Sequence, residues 1–403
     1  MEKRLFFFIL CLFLLGCSTE EMILDVEEPE VEKTRNIPVS KEEVKEIEKT
    51  TTQQDTSSQK VFRIEIPTKS ERERLPSCDT SPFTTFPVDM NDVTSITPLG
   101  NLGPPGHTFP TQHPHLHFDQ SGKEVEIVAP ADIYLTAVAW SNGITQDPRD
   151  YTIYFSVCND IIAYYNHVKT ISPELQTIFD TKKCESFSVG QGCTKILDLE
   201  KIEEGTLLGT VGLRQGNWDF GLIDLRKPLD FVKPKRYPER DRYLQCVFDY
   251  YPPTMKDRFY SLLDRDDGTC STTMQDVPGT LQGNWFHESA DDEYVVEWDV
   301  FLAFVGDFEF SGAQVVSVAG KFTDASKYEF YPKSTGNMNR DFSHVKPGGT
   351  YCYQGEDIGR SFTPIPDGKI VVKMVDEMTL HITHQEGRCT GAETLHDFEV
   401  YKR

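Results

Sequence analysis

The sequence predicts an all-β protein built in two units, and three observations carry that expectation. Between about Cys78 and Pro238, short β-branched and aromatic runs alternate with Gly, Pro and Asn turns, while helical periodicity is confined to Ser172 to Phe179. From Gly279 to Tyr401 a second series of short runs recurs at regular spacing. With 403 residues and 38% hydrophobic content, a prior of roughly 150 residues per domain gives two to three domains, each able to bury a core.

The chain opens with Lys3 and Arg4, an apolar run from Leu5 to Leu15, and Leu14-Leu15-Gly16-Cys17. Eleven apolar residues are too few for a membrane span, which needs about 20. The layout is that of an export signal over residues 1–16. The last four residues resemble the lipobox of prokaryotic lipoproteins. That resemblance implies that Cys17 is lipidated and that the protein is anchored to a membrane, on the extracytoplasmic side of the cell envelope. Two or three acyl chains exceed the one that binds only marginally.

Residues 17–60 read as a tether. Ser18 to Lys60 holds 12 acidic and 6 basic residues with no aromatic residue and no glycine, too little apolar area to offset the entropy of ordering it.

The whole chain carries 41 Lys and Arg against 64 Asp and Glu, a net charge of −23. Without residues 1–16 it carries −24, of which the tether accounts for −6, leaving −18 on Val61 to Arg403. Folded units this acidic exclude nucleic acid, whose binding needs a basic stripe, and disfavour direct adhesion to anionic lipid.

Once Cys11 and Cys17 are set aside, Cys78, Cys158, Cys184, Cys193, Cys246, Cys270, Cys352 and Cys389 remain. An even number in an exported chain, with no C-x-x-C pair, points to disulfides. Pairing Cys246 with Cys270 and Cys352 with Cys389 keeps each bridge local. Of the other four, proximity favours Cys158 with Cys184 or Cys193.

In the first unit, residues 61–238, strands are expected over Val125 to Val128, Tyr134 to Trp140, Tyr151 to Cys158 and Ile161 to His167. Four of the ten histidines fall within eleven residues: His107, His113, His115 and His117. In a strand the last three share a face while Leu116 and Phe118 point to the core, and three imidazoles on one face suit a metal.

The pair His113-x-x-x-His117, the Ala129-Pro-Ala-Asp132 turn, Tyr164-Tyr-Asn-His167-Val, Glu204-Gly-Thr-Leu-Leu-Gly-Thr-Val211-Gly and Asn217-Trp-Asp219-Phe220-Gly occur in a telling order. Over residues 100 to 225 the chain resembles LytM-type, lysostaphin-like peptidoglycan endopeptidases, which have the duplicated hybrid motif fold. In that family an H-x-x-x-D pair and the second histidine of H-x-H hold zinc. The resemblance implies that His113 is a zinc ligand, that His117 stands at the family's Asp, and that Asp219 stands at the second H-x-H histidine. His167 matches an assisting histidine. Asn217 replaces the first H-x-H histidine, and an amide can donate a hydrogen bond but cannot act as acid or base. His115-Leu-His117-Phe118 reads like the family's H-L-H-F but lies upstream of its place, so it is taken as coincidence. His107 and His115 are read as loop or surface residues.

The second unit, residues 239–403, begins with a short helix at Thr254 to Leu263 and an acidic turn at Asp264 to Gly268. Strands follow at Trp285, Tyr294 to Val305, Gln314 to Val318, Tyr328 to Tyr331, Gly349 to Tyr353, Lys369 to Met374, Thr379 to Thr383 and His396 to Tyr401. This pattern predicts an antiparallel barrel or sandwich.

The leading expectation is an envelope lipoprotein with a degenerate, non-catalytic peptidase-like unit that binds a wall component or a protein. The alternative is a zinc metalloendopeptidase cutting peptidoglycan peptides, with zinc as its cofactor. A third is a ligand-carrying barrel.

Overall fold

Alternation along each strand builds two antiparallel sheet systems, as all-β patterning requires. The computed structural model describes residues 66–119, 123–141, 150–186, 192–212, 217–293, 298–360 and 364–403. The export signal, Cys17 and the tether lie outside the described residues. The described residues form one compact unit, and no helix among them is long and apolar enough to cross a membrane.

The first sheet runs in the order Val93–Thr97, His115–Phe118, Asn217–Asp224, Ile161–Val168, Asp150–Cys158, Ile133–Ser141, Gly192–Ile202 and Glu185–Ser186, with Leu244–Gln245 also paired to Asn217–Asp224. Adjacent strands are antiparallel throughout. A smaller sheet, Glu124–Val128, Leu207–Gly212 and Thr170–Ile171, shares its core. Along Asn217–Asp224, Trp218, Phe220 and Leu222 enter that core together with Tyr165, Leu116 and Phe118. The period of two sends Asn217, Asp219, Gly221 and Ile223 to the opposite face. Ser172 caps the nine-residue helix Pro173–Thr181 by accepting from Leu175 N–H at 3.2 Å.

The second sheet has eight antiparallel strands in the order Ser326–Phe330, Gln314–Val318, Phe301–Gly306, Gly283–His287, Glu399–Lys402, Thr379–Gln385, Lys369–Met374 and Thr350–Tyr353. The two ends of this order approach each other: Glu356 N–H donates to Glu329 O at 2.7 Å, and Gln354 N–H donates to Asn339 Oδ1 at 3.0 Å. The result is a nearly closed barrel. Trp285, Phe304, Tyr328, Phe330, Phe342, Tyr353 and Tyr401 fill its interior, and the ligand-carrying expectation fails on that filling.

Two strand starts differ most from expectation. The strand expected from Tyr294 is preceded by a 3-10 turn at Trp298–Val300 and starts at Phe301, with 294–297 outside the described residues. The last strand begins at Glu399 rather than His396. At the acidic turn, Asp267 accepts from Thr269 N–H at 2.9 Å and from Arg265, while Asp266 accepts from Ser311 N–H at 2.8 Å, so its carboxylates serve the turn.

Disulfides join Cys78 to Cys158, Cys184 to Cys193, Cys246 to Cys270 and Cys352 to Cys389. The expected partner of Cys158 is therefore corrected. The segment entering the first unit runs past the end of the Asp150–Cys158 strand, where Asn159 N–H donates to Pro76 O at 2.9 Å, and this brings Cys78 to Cys158 across 80 residues. Cys193 is left to Cys184, in the adjoining segment before Glu185–Ser186.

The sheets meet along an aromatic seam. Phe109 stacks on Phe301 at 4.3 Å and meets Phe286 edge-on at 5.2 Å, while Phe231 and Tyr237 pack against Phe286. Val232 N–H donates to Asp276 Oδ2 at 2.9 Å beside the seam.

Candidate metal centre

The face of the Asn217 strand that turns away from the core carries Asp219, and strand register decides what surrounds it. Asp219 pairs with His115 on one side and with Asn166 on the other; Asn217 pairs with His117. His115 therefore shares Asp219's face, and its Nε2 lies 3.7 Å from Asp219 Oδ1. His113, just before the strand, brings Nε2 to 2.9 Å from Asp219 Oδ2.

His167 reaches the same carboxylate through a bulge. Between the pairs Tyr151–Val168 and Ile153–Tyr165, one residue opposes two, Asn166 and His167. His167 has a left-handed backbone, φ +60°. Strict alternation from the buried Tyr165 would aim His167 at the core, and a bulge re-aims a side chain in this way. Its Nε2 lies 3.3 Å from Asp219 Oδ2 and its Nδ1 lies 2.9 Å from Asp150 Oδ2.

Asp219 is thus the hub of three imidazoles. Burial alone would lift its carboxyl, but His113, His167 and His115 hold it well below the ordinary carboxylate range. Burial drives His115 down to about 3, against the pull of Asp219, so this ring stays neutral. Burial also lowers His167, yet hydrogen bonds to Asp150 and Asp219 outweigh it and lift the ring to about 10.

His113, His115 and Asp219 each offer a ligand atom, all within 4.8 Å of one another. A zinc ion bonds such atoms at 2.0 to 2.2 Å, which places tetrahedral ligands about 3.4 Å apart. His113 Nε2 at 2.9 Å from Asp219 Oδ2 and His115 Nε2 at 3.7 Å from Asp219 Oδ1 lie on either side of that spacing. Asp219 Oδ1 and His115 Nδ1 are buried without a hydrogen-bond partner, and burying polar atoms this way is costly unless something satisfies them. Two imidazoles and a carboxylate are a recognised open zinc set, and these residues fit it. The other cluster of this kind among the described residues, Cys352, Cys389 and Glu393, uses cysteines already joined in a disulfide.

Of the residues expected at a metal, His113 and Asp219 come together and His117 does not join them. Its Nε2 lies 2.8 Å from Thr97 Oγ1, on the edge strand, and burial lowers its pKa. Within the cluster its place is taken by His115, read from the sequence as a surface residue and in fact 7% exposed. The signal was present in the period of two, since His115 and His117 share a face and only register chooses between them. Asn217 lies two residues from Asp219 along the strand, with Oδ1 buried and unpartnered. His107 closes a hairpin, exchanging backbone bonds with Gly103 at 2.8 and 2.9 Å, and stands outside the cluster.

No family model and no curated protein matches the chain. Among solved structures, one of Helicobacter pylori Csd3 from an orthorhombic crystal is similar at 12% identity and a TM-score of 0.22. The match covers 40% of this chain and 40% of that one.

Proposed function

We propose that this chain is a lipid-anchored protein of the cell envelope whose peptidase-like β unit holds a zinc ion through His113, His115 and Asp219. In this reading it works as a binding scaffold for a wall component or an envelope protein. The observation that carries the metal is the buried Asp219 carboxylate, ringed by imidazoles with one oxygen unpartnered. The anchor at Cys17 rests on the lipobox resemblance.

When bound, zinc would supply a Lewis acid for an oxygen ligand. The chain's own groups decide between binding and hydrolysis. At the position where the family carries a histidine, Asn217 can orient a ligand by hydrogen bonding but can neither take nor give a proton. His167 is held at both nitrogens, by Asp150 and by Asp219. Binding is therefore better served than hydrolysis.

One feature favours the alternative, a zinc endopeptidase. The Asp150–His167 pair has the form of an oriented imidazole, able to hold a proton at Nε2 near the metal ligands.

Metal analysis of purified protein, with a cleavage assay on cross-linked peptidoglycan peptides, separates the two. One zinc per chain and no cleavage is the expected result. Cleavage lost in His167→Ala would establish the enzyme, and absence of zinc would remove the metal centre. Partition of the wild type, but not Cys17→Ala, into a detergent phase tests the anchor.

A further inference from the structure

His113 is held from behind by a tyrosine that a missing side chain lets into place. Tyr164 and Gly221 are directly paired across adjacent strands. A Cβ on Gly221 would lie 2.0 Å from Tyr164 Cζ and 2.3 Å from its hydroxyl, so the ring occupies the space a side chain would take. With the ring laid over the glycine, its hydroxyl sits 3.4 Å from His113 Nδ1 and 3.4 Å from the carbonyl of Gln112. The backbone of Gln112 is steadied through its side chain, whose Nε2 donates to Asp241 Oδ2 at 2.8 Å, and Asp241 is paired with Arg240 at 3.1 Å. Tyr164 is 3% exposed.

The donors can then be ordered. The Tyr164 hydroxyl donates to the Gln112 carbonyl, which can only accept. Its oxygen is left to accept from His113, which places a proton on Nδ1. Nε2 faces Asp219 Oδ2 at 2.9 Å, where a metal held by both atoms would take the place of the proton that joins them.

We propose that Tyr164, seated in the notch of Gly221, is a positioning residue that fixes the tautomer of His113 and thereby presents Nε2 to the metal. The proposal rests on the metal reading above and assigns no chemical step to Tyr164. Partners of this kind, which orient a ligand from behind, typically govern metal affinity by about 10- to 100-fold. Gly221 is needed for a steric reason, since any side chain there displaces the ring.

The test uses the full-length protein in detergent. Zinc and cobalt affinities are measured by chelator competition for the wild type, Tyr164→Phe and Gly221→Ala. Side-chain nitrogen shifts of His113, followed in metal-free protein, report its tautomer. Tyr164→Phe keeps the ring in the notch and is expected to melt within a few degrees of wild type in chelator, yet to bind zinc about 10-fold more weakly or worse. Gly221→Ala is expected to match it or exceed it. In the wild type Nδ1 is expected to carry a proton, and in Tyr164→Phe that preference is lost.

Equal zinc affinity in wild type and Tyr164→Phe overturns the proposal, as does a wild-type His113 whose Nδ1 is unprotonated. If the wild type binds neither metal, the metal reading fails by itself, and the tautomer measurement still decides whether Tyr164 sets the state of His113.

Discussion

Asp219 Oδ2 and His113 Nε2 lie 2.9 Å apart, with their side chains 2% and 9% exposed. A buried carboxylate is tolerable only where cations or protons surround it. Asp219→Asn keeps the shape and removes the charge. It is expected to abolish stoichiometric zinc binding and, in chelator, to destabilise the protein by about 3 kcal/mol, because His113 and His167 lose their shared partner. Metal analysis and thermal melts measure both effects. Tight zinc binding that survives Asp219→Asn would contradict the assignment.

A second contrast lies within one strand. His115 and His117 project to the same face, but only His115 faces Asp219; His117 meets Thr97. His115→Ala is expected to weaken zinc by at least about 10-fold, whereas His117→Ala leaves affinity within about twofold. Chelator competition reads both. The reverse ranking would restore the pairing of His113 with His117 that spacing alone suggests.

These two residues also show what the sequence could and could not disclose. Strand patterning marked the all-β class, and Gln314–Val318 and Lys369–Met374 fall where the alternation of β-branched residues places them. Asp219 was legible because it stands at a recognisable point of a Trp-Asp-Phe run. His115 was not. A one-residue choice along His115–Phe118 depends on pairing with Asn217–Asp224, about 100 residues away, and register is a tertiary property. The bulge that turns His167 toward Asp219 leaves no local mark either, since Asn166 and His167 read as ordinary alternation until Thr152 is seen opposite both. The bridge from Cys158 to Cys78 follows the path of an entering segment, which sequence proximity cannot weigh.

Asp224 sets part of the acid stability. It is fully buried and accepts from Arg226 Nε at 2.7 Å, Arg226 Nη2 at 2.9 Å and the Tyr250 hydroxyl at 2.7 Å. Burial opposes its ionisation, yet these bonds hold its pKa below the ordinary 3.8. A carboxyl depressed in the fold adds stability that is complete above the unfolded value and is lost as pH falls through the folded one. The melting temperature is therefore expected to drop as pH goes below about 4. Asp224→Asn should be less stable than wild type at about pH 7 and should show a shallower loss below about pH 4. Equal acid slopes in the two proteins would remove Asp224 from this role.

The aromatic seam predicts that the two sheets unfold together. Phe109 lies on the segment leading to His113 and stacks on Phe301 of the barrel, with Phe286 at its edge. Beside it, the backbone of Val232 adds a hydrogen bond to the buried carboxylate of Asp276. Removing a large ring from such a contact costs about 3 kcal/mol at full burial. Phe109→Ala is therefore expected to lower the melting temperature of the whole unit in a single transition. Because the ring lies on the same short segment as His113, the variant should also bind zinc more weakly. A calorimetric trace that splits into two transitions, with the barrel melting at its wild-type temperature, would show that the sheets are independent. Zinc affinity would then be expected to follow the first sheet alone.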